Sequence, residues 1–130
     1  MTKQITASDL IREVRAVAEE HPDFTYAAQA GYDPTAGCSY LGVAIGNTDG
    51  KGCIIGQALE RLEFNMEAVK EWELSEPGWG TSVFDLMEHF QIPTTYAEKN
   101  WLAGVQSSQD HGESWGFAVK STDAAYKLSA

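Results

Sequence analysis

Between Leu10 and Ala18 the apolar positions return at helical spacing: Leu10, Val14 and Val17 form one line, and Ile11 and Ala18 widen it. Thr6 or Ser8 can cap this first helix. Asp9 puts negative charge in its first turn, where the macrodipole favours it, and Pro22 stops the helix. The period then changes. Phe24-Thr-Tyr-Ala-Ala28 is followed by turn chemistry in Gly31-Tyr-Asp-Pro-Thr-Ala-Gly37. In Cys38-Ser-Tyr-Leu-Gly-Val-Ala-Ile45, Leu41, Val43 and Ile45 then alternate against Tyr40, Gly42 and Ala44. This region reads as a small antiparallel hairpin, the one β signal in the chain.

From Cys53 onward the helical period returns. Ile55, Leu59, Leu62 and Met66 trace a buried helix face, and a further helix is expected over Met66 to Leu74, broken by Ser75-Glu-Pro-Gly-Trp-Gly80. Ser82 with Asp85 resembles a capping box for a helix that carries Val83, Leu86, Met87 and Phe90 inward. On that helix His89 falls with Asp85 on the solvent side. Pro93 ends it, and Thr95 with Glu98 caps the next, whose inward residues are Ala97, Trp101 and Val105. Gln109-Asp-His-Gly112 reads as a turn, and Trp115, Val119 and Tyr126 are spaced for a last helix. The expectation is a single α+β domain over residues 1–130, mainly helical, with one hairpin.

Composition supports a globular chain. Of 130 residues, 43% are hydrophobic and 22% charged, close to the average for folded domains, and one domain is what this length holds. Charge changes the picture more. With 19 acidic and 9 basic side chains the net charge is -10. That balance argues against direct nucleic-acid binding, which draws on clustered Lys and Arg, and against an anionic membrane surface. No leader-like or membrane-spanning apolar run is present, so a cytoplasmic protein with reduced thiols at Cys38 and Cys53 is expected, a Cys38–Cys53 disulfide being the alternative.

The chemical motifs are weak one by one. Gly46-Asn-Thr-Asp-Gly-Lys-Gly52 resembles a phosphate loop, but three residues rather than four precede Gly50-Lys51, and Gly52 stands where Ser or Thr is needed. Gly50, Gly52 and Gly56 miss the dinucleotide spacing by one residue. Ile45 occupies the first ligand position of any calcium loop. Cys38, Cys53, His21, His89 and His111 lack the short spacings of zinc sites, so no metal or cofactor is expected. Cys53 lies between a glycine loop and a helix start, a place that lowers a thiol's pKa, and His111 beside Asp110 can act as base and orienter. A thiol-dependent enzyme using Cys53, His111 and Asp110 is therefore one reading, against a Cys53 that is simply a small buried hydrophobe. Gln57, Gln109 and Asp110 could converge on a small ligand pocket; the competing reading has Asp110 cap the last helix while the glutamines hydrogen-bond the loop.

The densest charge lies at Glu60, Glu63, Glu67, Glu71, Glu73 and Glu76, set against Arg61 and Lys70 and flanked by Trp72 and Trp79. A solvated face explains such a run, with the tryptophans in the core. If the tryptophans are exposed, the same run makes an interface for a basic protein.

Cys53-Ile-Ile-Gly-Gln-Ala-Leu-Glu-Arg-Leu62 and Trp101-Leu-Ala-Gly-Val-Gln-Ser-Ser-Gln-Asp-His-Gly112, with Trp115-Gly116 after them, resemble a group of small acidic proteins of actinobacteria and their phages. The likeness runs through most of the chain in order. It implies a setting, a phage or prophage accessory protein in a bacterial cytosol, and assigns no catalytic residue. The leading expectation is thus a non-enzymatic protein that binds a cellular or phage protein through Glu63, Glu67, Glu71, Trp72 and Trp79. A thiol enzyme and a small-ligand-sequestering protein are the alternatives.

Overall fold

The computed structural model describes residues 4–25, 53–75 and 82–128. They form six helices: α1 (Ala7–Glu20), α2 (Ile54–Arg61), α3 (Met66–Ser75), α4 (Val83–His89), α5 (Tyr96–Asp110) and α6 (Trp115–Ala125). No strand occurs among the described residues, so the α+β expectation is corrected to an all-helical fold. The hairpin itself was expected over Phe24 to Ile45, of which residues 26–45 lie outside the described residues, as do the glycine loop, Cys38 and Trp79.

The helices start where the sequence places caps. Thr6 Oγ1 accepts from Asp9 N at 3.2 Å while Thr6 N donates to Asp9 Oδ2 at 3.0 Å. Thr95 and Glu98 repeat this box on α5 at 3.1 and 2.9 Å. Ser82 caps α4 through Asp85 N, and Ser114 caps α6 through Phe117 N. Asp110, expected as a cap for α6, is instead the last residue of α5. Three helices close in left-handed turns at Glu63 (φ 58°), Gln91 (φ 53°) and Gly112 (φ 90°). In each, the next residue's N–H returns to a carbonyl five positions back: Phe64 to Leu59, Ile92 to Met87 and Glu113 to Ser108.

α1 packs on α2, α5 and α6, α5 also packs on α2, α4 and α6, and one apolar core runs through them. Leu10, Val14 and Val17 of α1 share this core with Ile54, Ile55, Leu59, Leu86, Trp101, Leu102, Val105 and Trp115, all essentially without solvent exposure. Ala97, expected inside, is exposed, because it lies in the first turn of α5 before that helix enters the core. Tyr126 is 47% exposed, since α6 ends at Ala125 before it.

Across α1, α5 and α6 a polar clasp bridges the core's edge. Arg15 makes a bidentate pair with Asp123 at 2.7 and 2.8 Å, Trp101 Nε1 donates to Asp123 at 2.8 Å, and the guanidinium lies 4.8 Å over the Trp101 ring. The hydrogen bonds from Arg15 hold the Asp123 carboxyl below the ordinary Asp value. Gly116 is needed for a different reason. Its N–H donates to Pro22 O at 2.9 Å, and a Cβ there would stand 2.9 Å from the same oxygen.

Candidate functional site

The most polar stretch of the sequence, Gln106 to His111, lies at the junction of α2, α4, α5 and α6. Gln109 is fully buried. Its Oε1 accepts from Ile54 N at 2.8 Å and from Trp115 Nε1 at 3.1 Å, and its Nε2 donates to Asp110 Oδ1 at 2.9 Å. Cys53, the residue before α2, gives that helix no side-chain cap, so Gln109 serves as the cap from another helix. Gln106, 7% exposed, does the same for α4: its Oε1 accepts from Val83 N at 2.9 Å. Two more helix starts are tied by remote carbonyls, Ala7 N to Pro93 O and Trp115 N to Phe24 O, each at 2.9 Å. The glutamines thus satisfy buried N–H groups whose desolvation would otherwise be costly. Gln57 is half-buried on α2.

The thiol arrangement takes a different form from the one expected. Cys53 is fully buried and disulfide-bonded, which corrects the expected reduced thiol, and a sulfur so held is no nucleophile. His111 is exposed, with Nδ1 2.7 Å from Ser107 O. Asp110 is largely withdrawn from water, and burial pushes its carboxyl up to about 6. The Gln109 link brings the Asp110 turn to the start of α2 without supplying a thiolate, a base and a path for substrate. No group of three His, Cys, Asp or Glu among the described residues is placed to hold a metal ion.

The acidic run is disposed as a surface. Glu60, Glu63, Glu67 and Glu71 are all exposed. Of the two cations set among them, Arg61 is turned to α1, where it pairs with Glu20 and holds that carboxyl below its ordinary value, while Lys70 is exposed beside Glu71. Trp72 is 6% exposed, so the ring belongs to the core rather than standing out as an aromatic anchor. It stacks on His89 (centroids 5.2 Å apart, planes at 20°) and meets Phe90 edge-on, while Phe90 meets Phe64 in the same way. Beside this stack is an open cleft of about 350 Å³ lined by Trp72, Asp85, Glu88 and His89. The cleft joins two more carboxylates to the acidic side of the molecule. The helical phase of α4 predicts the exposure of Asp85 and His89, while nothing local to them, or to Glu88, announces Trp72 as the neighbour.

Compared with models of protein families, with curated protein sequences and with solved structures, the chain matches none of them. No helix among the described residues is long and apolar enough to cross a membrane.

Proposed function

We propose that the protein is a non-enzymatic binding module that docks a basic segment of a protein partner on the acidic side formed by the end of α2, by α3 and by α4. The observation that supports this most is the exposed, predominantly acidic surface of Glu60, Glu63, Glu67 and Glu71, with Lys70 the cation among them, together with the cleft between Trp72 and the Asp85–Glu88–His89 edge. Among the described residues no salt bridge neutralises these carboxylates. Exposed like charges steer an oppositely charged partner, and the Asp85 and Glu88 carboxylates at the cleft offer a cationic side chain Coulombic contacts. The disulfide at Cys53 counts against a thiol enzyme, and the helix-capping bonds of Gln106 and Gln109 count against a ligand pocket built on them.

Titration calorimetry with a Lys- and Arg-rich peptide tests the proposal. Binding is expected to weaken steeply as salt rises and to vanish when Glu63, Glu67 and Glu71 are together changed to Lys. Binding that survives both high salt and the triple reversal contradicts it. The phage or prophage setting, in a bacterial host cytosol, rests on the motif resemblance. The disulfide at Cys53 opposes a reducing compartment, because disulfides persist mainly where the surroundings are oxidising. A thiol assay on unfolded, unreduced protein separates the two: free thiols support the cytosol, and none overturns it.

A further inference from the structure

The end of α1 carries a charge that its own dipole disfavours. The negative end of a helix calls for a cation in the last turn, yet that turn holds Glu19 and Glu20 and no basic residue. Glu20 is answered by Arg61 of α2. Glu19 is exposed, and no ion pair or hydrogen bond among the described residues engages its carboxylate. The carbonyls of Ala18, Glu19 and Glu20 likewise receive no N–H among the described residues. His21 N closes the helix on Val17 O, Pro22 has no N–H to give, and Phe24 N turns to His21 O.

Beside this helix end, α1 and α6 border a groove of about 300 Å³. Ala18, Pro22, Gly116 and Val119 give it an apolar lining, and the bond from Gly116 N to Pro22 O at 2.9 Å holds its two sides together. Its charged groups are Glu19 and Arg15. Arg15 brings no unanswered charge, because Nη1 and Nη2 are both committed to the Asp123 carboxylate at 2.7 and 2.8 Å. His21 meets the Trp115 ring edge-on and does not line the groove. An apolar lining thus adjoins one unpaired carboxylate at the negative end of a helix.

We propose that this groove binds a small primary amine, an ammonium group carried on a short aliphatic body. The ammonium answers Glu19 and the end of α1, and the aliphatic body covers Ala18, Pro22, Gly116 and Val119. A carboxylate ligand would be repelled by the same two features, and an alcohol would leave both unanswered. About 300 Å³ is the small end of ligand-sized pockets, room for one short molecule rather than a folded partner. None of the lining residues belongs to α2, α3 or α4, so the site is separate from the acidic face.

The test titrates n-hexylamine, protonated at neutral pH, into the ¹⁵N-labelled chain, with n-hexanol and hexanoate as controls of equal chain length. Saturable shifts are expected at the amides of Ala18, Glu19, Gly116 and Val119, with hexanol about tenfold weaker and hexanoate not bound. Glu19→Gln keeps the shape of the side chain and should weaken hexylamine about threefold, as an exposed ion pair allows. Glu113→Gln, which removes an exposed carboxylate elsewhere, should leave the affinity unchanged. Hexanol binding as tightly as hexylamine, equal losses in the two variants, or shifts spread over Glu60 to Glu71 would each overturn the site. So would a Lys-rich peptide that moves the groove amides when hexylamine does not, because the groove would then belong to a protein partner.

Discussion

At the meeting of α2, α5 and α6 the polar side chains are buried and hydrogen-bonded to helix starts, whereas from the end of α2 along α3 and α4 they stand in solvent and are mostly acidic. Gln109 shows the first pattern, with both ends of its amide engaged and no exposure. Glu63, Glu67 and Glu71 show the second. The difference teaches that a dense polar motif and a functional surface are separate things. The amide-rich stretch that looks like a ligand site is part of what holds the fold, and the acidic run, which stands in solvent, is the surface proposed to meet a partner.

The comparison breaks first, and hardest, at Gln109. Gln109→Ala strips the cap from Ile54 N and the acceptor from Trp115 Nε1 and opens a void beside them, so a loss of about 3 kcal/mol or more is expected in chemical denaturation. A loss under about 1 kcal/mol would mean that water replaces the amide there. Gly116→Ala comes next. Its new Cβ presses on the Pro22 carbonyl at 2.9 Å, a backbone atom that cannot swing aside, and a cost of about 1–3 kcal/mol is expected by the same measurement. Gln106→Ala takes the acceptor from Val83 N and should cost about 1–2 kcal/mol. At the far end, changing Glu63, Glu67 and Glu71 together to Lys should leave the unfolding midpoint almost where it was while removing affinity for a basic peptide. A large stability loss from that triple change would place those glutamates in the scaffold instead.

The legible part of the fold was the part whose partners are close in sequence. Thr6 with Asp9, Ser82 with Asp85 and Thr95 with Glu98 each place donor and acceptor three residues apart, so the starts of α1, α4 and α5 could be read directly. The apolar lines of α1 and α2 were equally readable, since the core selects one helical face. Gln106 caps a residue 23 positions away and Gln109 one 55 positions away, and no local pattern announces such bonds. The same holds for the disulfide at Cys53 and for the Arg15–Asp123 pair, 108 positions apart. The α+β class rested on short alternation over Leu41 to Ile45, which lies outside the described residues, whereas every regular element among the described residues is a helix. Of the candidate site, the charge of the Glu60–Glu71 face was visible in the sequence. The burial of Trp72 was one of two readings open in the sequence, and Val69 with Trp72 on one inward line of α3 decides for the core.

The division between scaffold and surface is tested most directly by titrating ¹⁵N-labelled protein with a Lys- and Arg-rich peptide and following every backbone amide. Shift changes are expected to gather on Glu60 to Trp72 and on Asp85 to His89, with the amides of Ile54, Gln109 and Trp115 unmoved. Changes centred on the Gln109 junction, or none on the acidic side, would contradict the assignment of binding to that face.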